Sequence, residues 1–338
     1  MFCIIGAGIA GLTLAQYLKK QKIPFIVLDN RDDTWNGYSL TLMKAVDILK
    51  ELDLFNDLQN IIITNKSYGF SYEGNPLWSR SVKKSKVIVQ RGELLRVLRK
   101  DIPIISFNYD HYELTNDGVI IYDIDNNSLL CDYLIGCDGV RSKVRSQLIG
   151  PNYIESIQNL IIINGITEST KLLDGSYQFV DGVSRLFVKP FDQTHVMTQL
   201  SFPSSLCYKN LLQLCPKNLA KLIVNGWHDL PYELINKGTH ITYRNLFQTK
   251  EISSLPAGRV TLMGDAAHTM SPFKGLGANT AMQDAQDFAN IVSASKNKVD
   301  SIQVYNDIML KRGNLNRLNS SINTKFSHSK EVLDQDKF

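Results

Sequence analysis

The start of the chain pairs two short apolar runs with a glycine-rich break between them. The run FCII occupies positions 2–5 and stops at Gly6, and apolar residues then recur at helical spacing from Leu12 to Leu18. A second run, IPFIVLD, ends at Asp29. Short continuous apolar runs predict buried strands, and the periodic segment predicts a helix. The chain therefore opens with a predicted strand, tight turn, helix and second strand.

Two later apolar runs end in an acidic turn. The run YLIG at 133–136 precedes Asp138 and Gly139, and the run VTLM at 260–263 precedes Gly264 and Asp265. Each pattern predicts a strand and a turn, and a helix follows each turn, the second of them near Gly277.

The rest of the chain contains short strand-like runs without a helix between them. Residues 67–87 and 151–245 include runs such as NLIIINGI and SRLFVKPF, which predict an antiparallel sheet. Its aromatic residues either line a pocket or belong to the core of the sheet: Phe179, Phe187, Phe191 and Phe202. The polar segment from Val299 onwards has apolar residues at helical spacing and predicts covering helices.

The glycines at the first break have the spacing G-x-G-x-x-G. Gly6 permits a tight turn, Gly8 lets backbone approach a pyrophosphate, and Gly11 lets the helix pack on the strand. The positive end of the helix favours the phosphate charge, and Asp29 can accept hydrogen bonds from ribose hydroxyls. The unit predicts a dinucleotide site but leaves NAD and FAD as alternatives.

Composition narrows the functional class. The 338 residues are 43% hydrophobic and 21% charged with a net charge of +4, so we expect two globular sub-domains and no nucleic-acid partner. The five cysteines form no C-x-x-C pair and the six histidines show no ligand spacing, so we expect a reduced, cytoplasmic protein without a metal site. No apolar run reaches the length of a membrane span.

Three ordered motifs give the chain a family resemblance. They are GAGIAG at 6–11, DGVRSKVR at 138–145 and GDAAHTMSPFKGLG at 264–277, accompanied by RGE at 91–93. In these residues the chain resembles the FAD-dependent aromatic hydroxylases, which are the class A flavoprotein monooxygenases related to p-hydroxybenzoate hydroxylase. The likeness extends from residue 1 to about 315.

The resemblance implies an α/β fold with interleaved domains. A Rossmann-like FAD-binding domain would comprise residues 1–66, 88–150 and 246–298, and an antiparallel-sheet substrate domain would comprise 67–87 and 151–245. Residues 299–338 would form a C-terminal helical segment.

The resemblance also implies roles for individual residues. Asp265 would bind the ribityl hydroxyls of FAD, Pro272 would shape the flavin site, and Arg91 would reach the phosphates or the neighbouring turn. His268 is given no catalytic role, and no side chain is expected to be catalytic, because the flavin carries the chemistry. The complete set of expected cofactor-binding residues is Gly6, Gly8, Ala10, Gly11, Asp29, Arg31, Arg91, Asp138, Gly264, Asp265, Pro272, Gly275, Gly277, Ala278 and Asn279.

The implied activity is that of an FAD-dependent monooxygenase. NAD(P)H and O2 would serve as co-substrates, and a flavin C4a-hydroperoxide would hydroxylate a small aromatic or polyketide-like molecule. Two alternatives remain open at this point: an FAD-dependent reductase or dehydrogenase of the same superfamily, and a non-enzymatic FAD-binding module.

Overall fold

The computed structural model describes residues 1–30, 37–169, 171–207 and 214–334, without the side chains of 82–85. The strands within these ranges are β1 (Phe2–Ile5), β2 (Phe25–Asp29), β3 (Ser39–Leu42), β4 (Ile62–Ser71), β5 (Pro76–Gln90), β6 (Ile104–Ser106), β7 (Tyr109–Leu114), β8 (Val119–Asp123), β9 (Ser128–Cys131), β10 (Tyr133–Gly136), β11 (Ile154–Glu168), β12 (Gly175–Val180), β13 (Arg185–Pro190), β14 (His195–Pro203), β15 (Thr239–Thr249) and β16 (Val260–Leu262). The helices are α1 (Ile9–Lys20), α2 (Lys44–Glu51), α3 (Arg91–Leu98), α4 (Lys143–Ile149), α5 (Pro216–Ile223), α6 (Asp229–Lys237), α7 (Asp265–His268), α8 (Gly277–Ala294) and α9 (Lys298–Ser327).

The first sheet is parallel and has the strand order β16-β10-β1-β2-β6. All four residues of β1 are buried, and Cys3 is paired with Leu134 of β10 and with Ile26 of β2. Strands covered on both faces need continuous apolar runs, which is why FCII is apolar throughout. The strand, turn, helix and strand predicted for the start of the chain are confirmed, and α1 packs against α8.

The second sheet has the order β15-β11-β14-β13-β12-β4-β5-β3. Its neighbours are antiparallel except for β4 and β12, which run parallel, so the sheet is mixed where the sequence predicted an antiparallel one. The parallel pair arises because the β4–β5 hairpin, which precedes most of the sheet in the chain, adds beside β12. A small third sheet has the order β7-β8-β9. The exact domain boundaries stay a prediction.

One face of the second sheet is covered by α5 and α6. Apolar side chains from alternate positions of the strands pack with Leu219 and Leu234 of these helices. Phe179 and Phe202 belong to this core, so they do not line a pocket on the other face, and Phe191 lies half-buried just after β13. Phe187 is absent from this core, and strand alternation places it on the opposite face.

A single helix of 30 residues, α9, forms the C-terminal cover. It is anchored on β16, because the Tyr305 hydroxyl donates to the Leu262 carbonyl at 3.1 Å and the Thr261 hydroxyl donates to Asn306 at 2.5 Å. Among the described residues, none of the helices combines the length and the apolar composition that crossing a bilayer requires.

Candidate active site

The sequence motifs converge on one edge of the parallel sheet. Strands β2, β1, β10 and β16 are consecutive neighbours, and all of them end at the same edge because they are parallel. Asp29, Gly6, Asp138 and Asp265 lie at or just beyond these four ends. Three inter-strand intervals of about 4.8 Å separate the first strand from the last, which gives a span of about 14 Å. Ligands of open α/β sheets bind at this edge.

The three glycines of the first motif differ in what surrounds them. A Cβ on Gly6 would lie 2.4 Å from the Cys137 carbonyl oxygen, and Gly6 has φ of +108°. A Cβ on Gly11 would lie 2.0 Å from the Gly6 oxygen, whereas a Cβ on Gly8 would meet nothing within 4 Å. Gly6 and Gly11 are therefore required by the protein's own packing, and Gly8 borders open space.

Gly8 also caps the positive end of a helix. It is the N-cap of α1, where no side chain caps the helix and the first turn has no acidic residue. The free backbone N–H groups of such a helix end attract an anion such as a phosphate. Asp29 lies beside the same loop, since its carboxylate accepts a hydrogen bond from the Ala7 N–H at 2.7 Å. Arg31, the neighbouring predicted site residue, lies outside the described residues.

Asp265 lies just beyond the end of β16. Its side chain is exposed to solvent, yet it is surrounded closely enough by protein that burial raises the pKa of its carboxyl group. The charges of His268, Arg91 and Arg145 partly oppose this rise in pKa. The structure therefore brings Arg91 and Arg145 into the electrostatic neighbourhood of Asp265, although the three residues come from separate motifs.

The turn that holds Asp265 is tightly packed. Gly264 has φ of +62°, and a Cβ on it would lie 2.8 Å from the Ala10 Cβ. Ala10 lies in the first turn of α1, so the first and third motifs are in direct contact. Small residues at both positions permit this approach, which makes the role of Ala10 one of packing beneath the site.

Arg145 joins the second motif to the third. It is buried, and its guanidinium donates to the carbonyl oxygens of Ala266 and Val140, each at 2.8 Å. Burial lowers the pKa of Arg145, and Asp138 and Asp265 partly oppose that shift. Sequence reasoning noted Arg145 only as part of a motif and missed this contact, because nothing in the local sequence identifies a carbonyl 121 residues away as its partner.

Asp138 is engaged by its own helix. Its carboxylate accepts hydrogen bonds from the Ser142 hydroxyl at 2.5 Å and from the Lys143 N–H at 2.7 Å, and so caps α4. Burial raises the pKa of Asp138, while these hydrogen bonds lower it. The confirmed feature is the turn and helix; the cofactor contact of Asp138 stays a prediction.

The loop from Pro272 to Asn279 leads into α8. Gly275 adopts the left-handed conformation, with φ of +64°, and Gly277 and Ala278 begin a helix of 18 residues that has no side-chain cap and no acidic residue in its first turn. A Cβ on Gly277 would meet nothing within 4 Å. The positive end of α8 is therefore open, as is that of α1.

Asn279 braces this loop. Its side-chain oxygen accepts from the N–H groups of Met43 and Ala45 at 2.8 and 3.2 Å, and its amide donates to the carbonyls of Thr41 and Gly275, both at 2.9 Å. Because these bonds engage both ends of the amide, a direct cofactor contact of Asn279 stays a prediction that its side chain does not favour.

His268 is held beneath the site. Its ring is buried, and Nε2 lies 2.5 Å from Oδ2 of Asp284, while Arg312 donates to Oδ1 of the same carboxylate at 2.8 Å. Burial lowers the pKa of His268, but the charge and hydrogen bond of Asp284 and the charge of Asp265 together outweigh burial and leave the pKa raised. The residue belongs to a buried ion-pair network.

The second sheet reaches the loop from the other side. The Arg185 guanidinium lies 4.9 Å from the ring centroid of Phe273, which follows Pro272 in the loop. The Tyr38 hydroxyl is 2.7 Å from that of Thr242 on β15, and the Ser39 hydroxyl donates to the Pro190 carbonyl at 3.2 Å. The face of this sheet that α5 and α6 leave uncovered is therefore turned toward the loop. The edge strand β3 of the same sheet contacts β13 through Ser39 and Pro190.

These residues fit FAD. Two open positive helix ends suit the pyrophosphate and an electron-rich ring, and two carboxylates at the ends of β2 and β16 suit the two sugar-like hydroxyl sets of a dinucleotide. Residues 4–40 match the family described as NAD(P)-binding Rossmann-like domain, and residues 244–307 match the family described as FAD binding domain.

Individual relatives agree with these matches. The FAD-dependent monooxygenase thnD of Trichoderma harzianum is 28% identical over 92% of this chain and 89% of its own length. Along most of its length, the chain is similar to FAD-dependent monooxygenases.

Another relative and a solved structure extend this likeness. The phenazine 1,6-dicarboxylic acid hydroxylase PhzS of Lysobacter antibioticus is 26% identical over 89% of this chain and 84% of its own length. The crystal structure of Klebsiella pneumoniae HpxO complexed with FAD and uric acid has a TM-score of 0.89 and 21% identity, covering 100% of this chain and 91% of that one. The HpxO comparison supports the fold, including the Rossmann-like and curled sheets.

Proposed function

We propose that this flavoprotein uses NAD(P)H and O2 to hydroxylate a small aromatic or polyketide-like molecule bound between the loop Pro272–Gly277 and the uncovered face of the second sheet. The observation that carries the proposal is that the solvent-accessible Asp265 and the open end of α8 belong to one segment, whose loop residue Phe273 contacts Arg185 of the second sheet. The similarity to FAD-dependent monooxygenases supports the reaction class.

The chain's own residues would hold the cofactor at both ends. The N–H groups around Gly8 would bind the pyrophosphate, and Asp29 would accept hydrogen bonds from the adenosine ribose. Asp265 would accept hydrogen bonds from the ribityl hydroxyls, and the open end of α8 would stabilise negative charge on the ring. Bound FAD would supply the redox chemistry, by which one oxygen atom of O2 reaches the substrate and the other leaves as water.

The protein's further task is to orient the substrate and exclude water. The uncovered sheet face carries Arg185, Phe187 and Met197, which combine apolar contact with buried polar groups. A pocket of this composition binds flat organic molecules and displaces water from the reacting ring. The names of the relatives, which include a phenazine dicarboxylic acid hydroxylase and a protein crystallised with uric acid, support an aromatic substrate.

The test is isotope transfer from dioxygen. The FAD-loaded protein is incubated with NADPH or NADH, 18O2 and a panel of aromatic compounds, and products are analysed by mass spectrometry. We expect at least one compound to accelerate NAD(P)H oxidation and to gain a single 18O atom, with hydrogen peroxide falling as coupling improves.

Two other outcomes would contradict the proposal. A reductase would convert its substrate under argon as fast as in air and would incorporate no 18O. A non-enzymatic FAD module would give NAD(P)H oxidation that no compound in the panel accelerates.

A further inference from the structure

The end of α9 lies between the second sheet and the loop Pro272–Gly277. His328 follows this helix directly, and its ring centroid lies 5.2 Å from that of Phe273 in the loop. Its Nε2 lies 2.9 Å from the Ser201 hydroxyl of β14. The two neighbours of Ser201 in β14 pack in the core beneath α5 and α6, so Ser201 points to the uncovered face. One side chain therefore contacts both the loop and the sheet face that border the proposed substrate site.

The hydrogen bonds of His328 fix the orientation of its ring. Burial lowers the pKa of His328 to about 4, and the hydrogen bond to Thr324 only partly opposes this shift, so the ring is neutral at pH 7. Nδ1 lies 2.8 Å from the Thr324 carbonyl oxygen, which can only accept, so Nδ1 carries the proton. Nε2 is then an acceptor, and the Ser201 hydroxyl donates to it. Both nitrogens are used, and a flipped ring would lose both hydrogen bonds.

A second contact joins the last turns of α9 to the start of the loop. The Thr324 hydroxyl lies 2.7 Å from the Ser271 hydroxyl, and Ser271 directly precedes Pro272. The Ser271 hydroxyl donates to the Ser320 carbonyl at 3.1 Å. Thr324, Ser271 and Ser320 are all 0% exposed. Buried polar groups keep such hydrogen bonds because leaving them unpaired is costly, so this end of the loop is fixed to α9.

Phe273 is contacted from two sides. The Arg185 guanidinium lies 4.9 Å from its ring centroid, and the His328 ring lies 5.2 Å from it. Arg185 belongs to β13 of the second sheet, whereas His328 belongs to the end of α9. The loop side chain that faces the sheet is therefore held by a sheet residue and by the C-terminal helix together.

The chain beyond His328 keeps the end of α9 in place. Residues Lys330–Leu333 form a short 3-10 turn, in which Val332 is 0% exposed. A Cβ on Gly182, in the turn between β12 and β13, would lie 3.3 Å from the Lys330 Cα. The C-terminal turn is therefore packed against the end of the second sheet.

The position of this loop matters for the proposed reaction. The loop leads into α8, whose open positive end is proposed to face the flavin ring. Reacting groups must be held to within about 0.5 Å, and water must be kept away from them. A loop that moved away from the sheet would let NAD(P)H be consumed without hydroxylated product.

We propose that His328 is a positioning residue, which holds the loop Pro272–Gly277 against the uncovered sheet face and thereby couples NAD(P)H oxidation to hydroxylation. The proposal rests on the proposed function for the identity of the site. His328 acts through Phe273 and Ser201, and it takes no part in oxygen transfer.

The first test measures the loop directly, by hydrogen–deuterium exchange of the protein without FAD. His328→Phe keeps a ring beside Phe273 but removes both hydrogen bonds, so exchange in the peptide covering residues 271–277 should accelerate about fivefold or more. His328→Gln supplies an amide acceptor for Ser201 and should return exchange to within about twofold of the wild type. The peptide covering residues 111–122 is the internal reference and should not change. Unchanged exchange of the loop in His328→Phe overturns the proposal.

Ser201→Ala removes the same hydrogen bond from the sheet side. It is a small change in a strand, and it should accelerate exchange of the 271–277 peptide in the same direction as His328→Phe. Combined with His328→Phe, it should add little further, because both variants remove one shared interaction. If His328→Phe does not fold, Ser201→Ala decides, and wild-type exchange of the loop in Ser201→Ala overturns the proposal.

The second test measures coupling in the FAD-loaded protein, well below the melting temperature of each variant. In His328→Phe the ratio of hydroxylated product to NAD(P)H consumed should fall about threefold or more, with hydrogen peroxide rising to match, while FAD affinity changes less than about twofold. His328→Gln should recover most of the coupling. His111→Phe, at a half-exposed histidine of the third sheet, is the matched control and should couple like the wild type. Wild-type coupling in folded His328→Phe would assign His328 a purely structural role and overturns the proposal.

The outcomes separate this inference from the proposed function. Exchange is measured without FAD, NAD(P)H or substrate, so a loop released in His328→Phe stands as a result even when no 18O enters any product. Conversely, 18O incorporation by the wild type together with unchanged loop exchange in both variants supports the monooxygenase and removes the positioning role of His328.

Discussion

The carboxyl edge of the parallel sheet and the uncovered face of the second sheet differ in the chemical groups that they present. At the edge, the groups available to a cofactor are backbone N–H groups and two carboxylates, placed by glycine turns in short motifs. On the face, the polar groups are side chains of strands, and Arg185 and Lys189 are buried there without a carboxylate contact among the described residues. The proposed cofactor site is therefore built largely from backbone geometry, and the proposed substrate site from side chains.

This difference makes distinct demands on the two regions. Backbone donors persist under most substitutions, so the edge is sensitive mainly where a Cβ would clash or fill a space. Side-chain chemistry on the face changes with one substitution and leaves the fold intact. The expected effects below test this contrast from the largest to the smallest.

Gly6→Ala should have the largest effect, and it should act on folding. The new Cβ would meet the Cys137 carbonyl at 2.4 Å and would force a side chain into φ of +108°. We expect a loss of about 4 kcal/mol or more in the free energy of unfolding, measured by urea titration. A variant as stable as the wild type would show that the turn is not constrained by Cys137.

Arg145→Met should also lower stability, because the hydrogen bonds of Arg145 link the second motif to the third. It leaves the carbonyls of Ala266 and Val140 without their donor, at a cost of about 2–4 kcal/mol in the free energy of unfolding. Arg141→Met, at an exposed arginine of the same motif, is the control and should change stability by less than about 0.5 kcal/mol. Equal effects of the two variants on stability would show that the hydrogen bonds of Arg145 do not stabilise the fold.

Gly8→Val should separate the cofactor from the fold. Gly8 has φ of −83° and a Cβ there meets nothing within 4 Å, so we expect normal urea unfolding. The same side chain would fill the space beside the end of α1, and FAD affinity should fall about 100-fold, measured by fluorescence titration. Wild-type FAD affinity in a folded Gly8→Val variant would show that the pyrophosphate does not bind at this loop.

Asp265→Asn should have the smallest effect of this series. The amide keeps the shape of the side chain but loses the charge that strengthens hydrogen bonds from the ribityl hydroxyls, so FAD affinity should fall about tenfold. Asp117→Asn, at an exposed turn residue, should leave FAD affinity unchanged. Unchanged FAD affinity in Asp265→Asn would assign the cleft to a different ligand.

Much of the edge could be predicted from the sequence, because the responsible interactions are local. The helix start at Gly277 and the capped helix after Asp138 each depend on residues a few positions apart, and the turn at Gly6 is indicated by the local glycine spacing although Gly6 also packs against the distant Cys137. The prediction was weaker where a side chain has a distant partner. Asn279 is expected at the cofactor, which stays a prediction, and the sequence did not indicate that its four hydrogen bonds link α8 with the start of α2, with β3 and with Gly275.

The sequence predicted the strands of the second sheet, but it did not predict which side chains lie on each of its faces. Its strands follow from alternating runs, yet the assignment of Phe179 and Phe202 to the core required knowledge of the face that α5 and α6 cover. A signal for the missed cations was present in RLFVKP, where Arg185 and Lys189 stand four positions apart in an otherwise apolar strand. Alternation indicates that they share a face, but it does not say whether that face meets solvent or a cleft.

The order of apolar runs and glycine turns alone determined that this protein has a parallel α/β unit and a dinucleotide site, and its three motifs identified FAD. Those features depend on contacts between neighbours in the chain, which the sequence specifies directly. Only the tertiary structure decided that Arg145 donates to Ala266 and that Lys189 is buried with no carboxylate contact among the described residues. Burial and the absence of a partner are properties of everything packed around a side chain, and they arise only when distant segments come together.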